Sequence, residues 1–178
     1  MPSAVSSPAA PDKHELRHIM GHYATGASIV TAMWEGEPHG LAVNSLTSVS
    51  LDPPLILFCP GKRSETWPAI RDAGRFVVNI LADGQDHICR TFSRKGIDRF
   101  AEIGWRETPS GAPVLHDVLA YLESEIEQIH DGGDHYVTLG RVVDLGVLDG
   151  TPPLVFYRGA FHRLSGQEVE SGTRGDAP

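Results

Sequence analysis

The sequence predicts a mostly β protein, an antiparallel barrel with a few short peripheral helices. Three observations lead there. Segments rich in β-branched and apolar residues recur from Ala27 to Leu164, each bounded by turn residues. Two long stretches, Leu119 to His130 and His135 to Leu148, alternate with a period of two, as sheet strands do. Helical spacing is confined to short stretches, and the strand–helix–strand rhythm of a parallel sheet is missing.

In chain order, Glu15 to Tyr23 places Leu16, Ile19, Met20 and Tyr23 at helical spacing, which predicts a short amphipathic helix. Ala27 to Trp34 reads as a strand, Glu35 to Pro38 as a turn, and Gly40 to Ser50 and Leu55 to Phe58 as further strand-like segments. Ser64 to Ala73 predicts a helix with Pro68 in its first turn and Gly74 closing it. Arg75 to Leu81 is a strand and Gly84 to Ser93 a helix. In Leu119 to His130, Glu123, Glu125 and Glu127 are expected on a wet face, with Leu122 and Ile126 opposite. In His135 to Leu148, Val137, Leu139, Val143, Leu145 and Val147 are expected to share a face. Leu154 to Tyr157 and Ala160 to Leu164 form a last pair, broken at Arg158-Gly159. Residues 14–164 read as one domain between flexible polar tails, 1–13 and 165–178.

With 178 residues, the chain is long enough for one domain with a real core. Its formal net charge of -8 disfavours nucleic acid and anionic membrane surfaces as partners. No apolar run approaches a membrane span, and the first residues lack the pattern of a secretory signal. Two cysteines, Cys59 and Cys89, suggest no disulfide framework. A cytoplasmic setting is the expectation.

The glycine signatures of Rossmann, P-loop and α/β-hydrolase sites are absent. His14, His18 and His22 fall near one helical face, but no further Cys or Asp completes a metal set nearby, so they read as a solvated face. Asp131, Asp134 and His135 read as a turn. No metal is expected.

Gly40 to Pro54 is rich in small polar side chains: Asn44, Ser45, Thr47, Ser48 and Ser50. Such residues suit the polar edge of a flat heterocycle, and they suit an ordinary edge strand equally. Cys59-Pro-Gly-Lys-Arg-Ser-Glu-Thr66 runs from a strand end into a helix start. Its free N–H groups, with the charges of Lys62 and Arg63, suit an anion, while Ser64 or Thr66 also suits plain N-capping. Gly132-Gly-Asp-His135 is a tight turn. Phe156-Tyr-Arg-Gly159 sets an Arg beside aromatics, which suits a nucleotide phosphate or a solvated loop.

In this order, the segments A-T-G-A-S-I-V-T (Ala24 to Thr31), N-S-L-T-S-V-S-L-D-P-P (Asn44 to Pro54), R-S-E-T (Arg63 to Thr66), R-F-V-V-N-I-L (Arg75 to Leu81), D-R-F (Asp98 to Phe100), G-G-D-H (Gly132 to His135) and F-Y-R-G (Phe156 to Gly159) resemble the flavin reductase family with the FMN-binding split-barrel fold. The likeness runs from Glu15 to about Leu164 and is nearest to the small reductase components of two-component flavin monooxygenases. One departure is Ala27, where the family commonly carries valine or isoleucine.

The resemblance implies that Asn44, Ser45, Leu46, Thr47, Ser48 and Ser50 line the flavin ring and ribityl chain. It implies that Cys59, Pro60, Lys62, Arg63, Ser64 and Thr66 hold the phosphate side, and that Phe92 lies near the flavin. His135, as the catalytic candidate, with Phe156, Tyr157, Arg158 and Gly159, would border the nicotinamide. The implied reaction is hydride transfer from NADH or NADPH to FMN or FAD, with reduced flavin passed to a partner monooxygenase and the reductase a homodimer. Two alternatives stand beside it. A pyridoxamine-phosphate-oxidase-like enzyme would consume oxygen with an amine and ignore NADH. A non-catalytic flavin-binding or redox-sensing module would hold its flavin tightly.

Overall fold

The computed structural model of the chain describes residues 11–148 and 150–164. The elements are α1 (Lys13–Met20), β1 (Thr25–Gly26), β2 (Ser28–Trp34), β3 (Glu37–Val43), β4 (Thr47–Leu51), β5 (Pro54–Phe58), α2 (Trp67–Ala73), β6 (Arg75–Ile80), α3 (Asp86–Phe92), β7 (Trp105–Glu107), β8 (Pro113–Leu115), β9 (Ala120–Gly132), β10 (His135–Val147), β11 (Leu154–Tyr157) and β12 (Ala160–Arg163). Of the expected tails, 1–10 and 165–178 lie outside the described residues. Asp12 caps α1, its carboxylate accepting the His14 N–H at 3.1 Å.

Two-residue turns fix the strand registers. Glu35-Gly36 joins β2 to β3, and Arg158-Gly159 joins β11 to β12, all four residues at positive φ. That is the type I′ geometry whose twist matches paired strands. The Glu35 turn is therefore tighter than the sequence suggests, and Glu37 and Pro38 already belong to β3. Gly133, at φ 84°, opens the β9–β10 turn.

The main sheet has seven strands in the order β3-β2-β6-β9-β10-β5-β4, each antiparallel to its neighbour. Its two edge strands, β3 and β4, are consecutive in the chain and separated only by Asn44, Ser45 and Leu46. Laid flat, the edges of such a sheet would stand about 29 Å apart. The four Cα steps from Val43 to Thr47 reach about 15 Å at most. The sheet must therefore curl into a barrel, split at the seam between β3 and β4.

Alternation along β2 and β6 fills both sides of this wall. Val30, Ala32, Phe76 and Val78 point into the barrel with Ile56, Phe58 and Leu41. Helix α2 adds Trp67 and Ile70 to this core. Ile29 and Val77 point outward, against Ile88, Cys89 and Phe92 of α3 and against Val114 and Leu115 of β8. A second small sheet, β1-β11-β12, adds Leu154 to that outer core.

Three readings of the sequence need correction. Glu123 is only 2% exposed, because the segment carrying Ser110 covers this part of β9. Its carboxylate accepts from the Ser110 hydroxyl and pairs with Arg75 at 3.4 Å. Glu125 pairs with Arg75 and Glu127 with Arg141, nearer solvent. Second, the expected apolar face of β10 is split, since a bulge at Val143 shifts the register. Val142 sits opposite Ser124, yet Leu145 sits opposite Leu122, so residues beyond the bulge change face relative to Val137 and Leu139. Third, α1 forms, but Leu16, Ile19, Met20 and Tyr23 all stay exposed.

Candidate functional site

Three clefts that share lining residues form one groove beside the seam. The first, about 190 Å³, is lined by Leu41 and Ala42 of β3, by Gly61, Ser64 and Thr66, by Phe92 and Ser93, and by Lys95 and Arg99. The second, about 210 Å³, shares Ala42 and Ser93 and adds Ala27, Val43, Asn44, Cys89, Phe156 and Phe161. The third, about 560 Å³, shares Asn44 and Phe156 and adds Ser45, Thr25, Arg158, Gly159 and residues of α1. The groove is thus hydroxyl-rich at one end, with Arg99 there and Lys95 paired at 3.2 Å with Glu65, which lines the same cleft. Small side chains line its middle, and an arginine beside aromatics lines the other end.

Local chemistry builds each part. Gly40 is needed where β3 passes under α3: a Cβ there would lie 2.3 Å from the Phe92 ring. Phe92 is buried and stacks edge-on against Phe100 at 5.1 Å. Arg99 pins the segment after α3, donating to the Gly40 carbonyl at 2.8 Å and to the Thr66 hydroxyl. The Ser64 hydroxyl accepts the Trp67 N–H at 3.2 Å, so plain N-capping is part of its role, and it faces the groove as well. α2 begins later than Ser64.

At the seam, Asn44, Thr47 and Ser48 are exposed, while Ser45, Leu46 and Ser50 are half-buried. The Ser45 hydroxyl accepts the Cys59 N–H at 2.9 Å. Leu46 packs on the barrel core. Thr25 Oγ1 is buried beside the third cleft and has no hydrogen-bond partner among the described residues. Cys89 lies under the middle of the groove, where burial pushes its thiol up to about 11.

The segment from Cys59 to Arg63 is zipped to the β9–β10 turn. Pro60 O accepts the Tyr136 N–H at 2.9 Å, and Asp134 O accepts the Lys62 N–H at 3.0 Å. Lys62 pairs with Asp131 and lies over the Tyr136 ring at 5.3 Å, so its ammonium is turned away from the Ser64 cleft. The Lys62 ammonium holds the Asp131 carboxyl below the usual range, helped by the Gly133 N–H. His135 Nδ1 lies 2.7 Å from Asp134 Oδ1, and this bond lowers the Asp134 carboxyl in turn. The His135 ring rests on Gly61, at the border of the first cleft.

The structure therefore brings together Asn44, Ser45, Ser64, Thr66, Phe92, Phe156, Arg158 and Gly159 along one groove. It places Lys62, Arg63 and His135 on the neighbouring turn instead, and Arg158 at the opposite end from His135. Tyr157 lies under the Arg158 guanidinium at 5.2 Å. Sequence reasoning missed Ala42, Ser93, Lys95 and Arg99. A basic run after Phe92, Ser-Arg-Lys, was the available signal. Among the described residues, no three His, Cys, Asp or Glu side chains converge as a metal site. The donors suit a flavin: small side chains for a flat ring, hydroxyls and cations for a phosphate, and an unpartnered buried oxygen at the margin.

Comparison with known proteins agrees with this chemistry. The family described as flavin reductase like domain matches residues 20–165. The chain is 43% identical over 150 residues to the reductase subunit HsaB of a flavin-dependent monooxygenase from Rhodococcus jostii, covering 84% of this chain and 77% of that one. It is 38% identical over 160 residues to the FMN reductase (NADH) SmoA of Agrobacterium fabrum, covering 90% and 91%. Among solved structures it resembles the Streptomyces globisporus NADH:FAD oxidoreductase SgcE6 in complex with NAD and FAD fragments. There the TM-score is 0.85 at 32% identity, over 92% of this chain and all of that one.

Proposed function

This chain belongs to the flavin reductase like domain family, and on that premise we propose that it transfers a hydride from NADH or NADPH to FMN or FAD and supplies the reduced flavin to a partner monooxygenase. The observation that carries this reading is the groove beside the seam, graded from cations and hydroxyls through small residues to aromatics. Relatives that are NADH-dependent reductases of FMN, or reductase subunits of monooxygenases, support the donor, the acceptor and the partner.

A bound flavin supplies the ring nitrogen that accepts the hydride from C4 of a dihydronicotinamide. The chain's part is to bind and to align. Asn44, Ser45, Thr47, Ser48 and Ser50 meet the polar ring edge and the ribityl chain, with Leu46 as packing behind them. Ser64 and Thr66 hold the phosphate, with Arg99 supplying charge in place of Lys62. Phe92 backs the groove. His135 and Arg158 border the donor from opposite sides, with Phe156, Tyr157 and Gly159 beside Arg158. No side chain need act as nucleophile or base, since the step asks for close, aligned stacking. The Asn44 side-chain amide, which lines the groove, would offer an N–H donor to the polar edge of a bound ring.

The protein acts as a homodimer in the cytoplasm. β10 runs past β5, which pairs only with Thr138 to Arg141, and so leaves Leu145 and Val147 63% and 81% exposed. Such an uncovered apolar stretch suits a second copy. Among the described residues, no helix is long and apolar enough to cross a membrane.

The test mixes purified protein with NADH or NADPH and FMN or FAD, and follows the nicotinamide absorbance. Oxidation with at least one pairing is expected. None with any pairing overturns the proposal.

A further inference from the structure

The largest of the three clefts has one wall that lies outside the main sheet. Helix α1 presents Arg17, Met20 and Gly21 to it, positions three and four residues apart that share a helical face. The helix is docked there by its C-terminal end, the Gly21 carbonyl accepting the Arg158 N–H at 2.9 Å. Arg17 therefore sits one turn from a fixed point, with Arg158 lining the same cleft.

The electrostatics of this cleft are one-sided. Arg17 and Arg158 line it, and no Asp or Glu does. Among the described residues neither guanidinium has an ion-pair partner, which is true also of Arg63, Arg94, Arg99 and Arg106, but Arg17 and Arg158 line one cleft together. In a chain of net charge -8, two uncompensated arginines in one concavity mark an anion site. Met20, Tyr23 and Phe156 make the part of the wall beside them apolar and partly aromatic, which suits flat bases, while Thr25, Asn44 and Ser45 are polar. At about 560 Å³ the cleft is large enough for part of a dinucleotide. It also lies at the opposite end of the groove from Ser64, Thr66 and Arg99, where the proposed function seats the flavin phosphate.

We propose that Arg17, together with Arg158, binds the diphosphate of the nicotinamide dinucleotide, and that α1 is one wall of the donor site. This rests on the reductase reading and adds a residue to it. Arg17 and Arg158 fix the diphosphate so that the nicotinamide end reaches back over Asn44 and Ser45.

The experiment compares wild type, Arg17→Gln and Arg17→Lys. Calorimetry measures NAD⁺ binding to each protein without turnover. Steady-state rates are then taken with NADH and with N-benzyl-dihydronicotinamide, which carries no phosphate. Arg17→Gln should weaken NAD⁺ binding roughly tenfold and raise the ratio of the two donors' KM values by a similar factor, the effect of one lost charge-assisted contact. Arg17→Lys keeps the charge and should recover part of the loss. Unchanged NAD⁺ affinity in Arg17→Gln overturns the proposal. So does an equal loss with both donors, which would mean that α1 only shapes the groove. A raised KM for FAD with an unchanged KM for NADH would give the site to the flavin instead. Wild-type protein that oxidises neither donor removes the function and this inference together. Normal wild-type turnover with an unaltered Arg17→Gln removes the inference alone.

Discussion

The Ser45 hydroxyl accepts the backbone N–H of Cys59 at 2.9 Å, tying the short link between β3 and β4 to the end of β5. Ser45→Ala leaves that N–H without its partner at the edge of the groove. The loss should be about 1–2 kcal/mol. Urea unfolding would read it as a lower midpoint at unchanged slope, and flavin titration as weaker binding. Equal stability and equal affinity would show that the contact does not hold the seam.

Gly40 and Phe92 cannot both keep their places if Gly40 gains a methyl group. The added carbon would sit 2.3 Å and 2.8 Å from ring atoms of a buried side chain. Gly40→Ala should cost at least about 2 kcal/mol by overpacking. A second change, Phe92→Leu, should restore part of the stability in the double variant. Purely additive losses in thermal melts would argue against this contact.

The two cysteines should react at very different rates. Cys89 is buried and its thiol is raised to about 11, so little thiolate exists at neutral pH. Cys59 is half-buried. Titration of the native protein with a thiol reagent should label Cys59 alone, and unfolding should release Cys89. Rapid labelling of Cys89 in the native state, identified by peptide mass, would contradict its burial.

His135 rests on Gly61, at the border of the first cleft, and bonds to Asp134; the proposed function gives its ring to the donor. His135→Ala should therefore raise the KM for the dinucleotide several-fold while changing flavin affinity less than twofold, within the factor expected of one polar contact. Steady-state kinetics at saturating flavin, with a parallel flavin titration, separate the two. Unchanged kinetics with NADH and NADPH would remove His135 from the donor site.

Asp131 gives the tip of the β9–β10 hairpin a pH dependence. Its carboxyl is lowered by Lys62, so the ion pair is intact above the ordinary carboxylate value near 4. It is lost as pH falls through the lowered value. Protection of the Lys62 and Tyr136 amides, the two zipped N–H groups, measured against their intrinsic exchange rates, should fall in that acid range. In Asp131→Asn the same amides should exchange faster at neutral pH and show less acid dependence. A wild-type profile in that variant would remove the ion pair from the account.

The fold class was legible because a period of two survives in β9 up to Ile126, before a register shift at Glu127, and in the first half of β10. What followed the bulge at Val143 was not, since one extra residue reverses every later side chain and leaves no mark on composition. Glu123 was misjudged for a related reason: periodicity reports that two faces exist, but not that the segment with Ser110 folds over one of them. At the site, Asn44 and Ser45 could be found because small polar residues cluster there. Lys62 pointed elsewhere once Asp131 came within reach, a pairing between residues far apart in the chain. Ala27 shows the opposite case. In the sequence it is only a departure from the family's valine or isoleucine, and the structure sets it in the groove wall, where a larger side chain would narrow the middle cleft.

The place of the seam in the topology also orders the assembly of the protein. The β9–β10 hairpin is local in sequence and lies at the middle of the sheet, with β6 and β5 adding on either side. The β2–β3 and β4–β5 hairpins are local as well, so the seam is complete only when β5, carrying β4, reaches β10, where Thr138 faces Phe58 from far along the chain. Local contacts of that kind form early and distant closures late. A ligand held beside the seam thus meets its complete site only on the native side of the folding barrier. Added flavin should slow the unfolding arm and leave the refolding arm where it was.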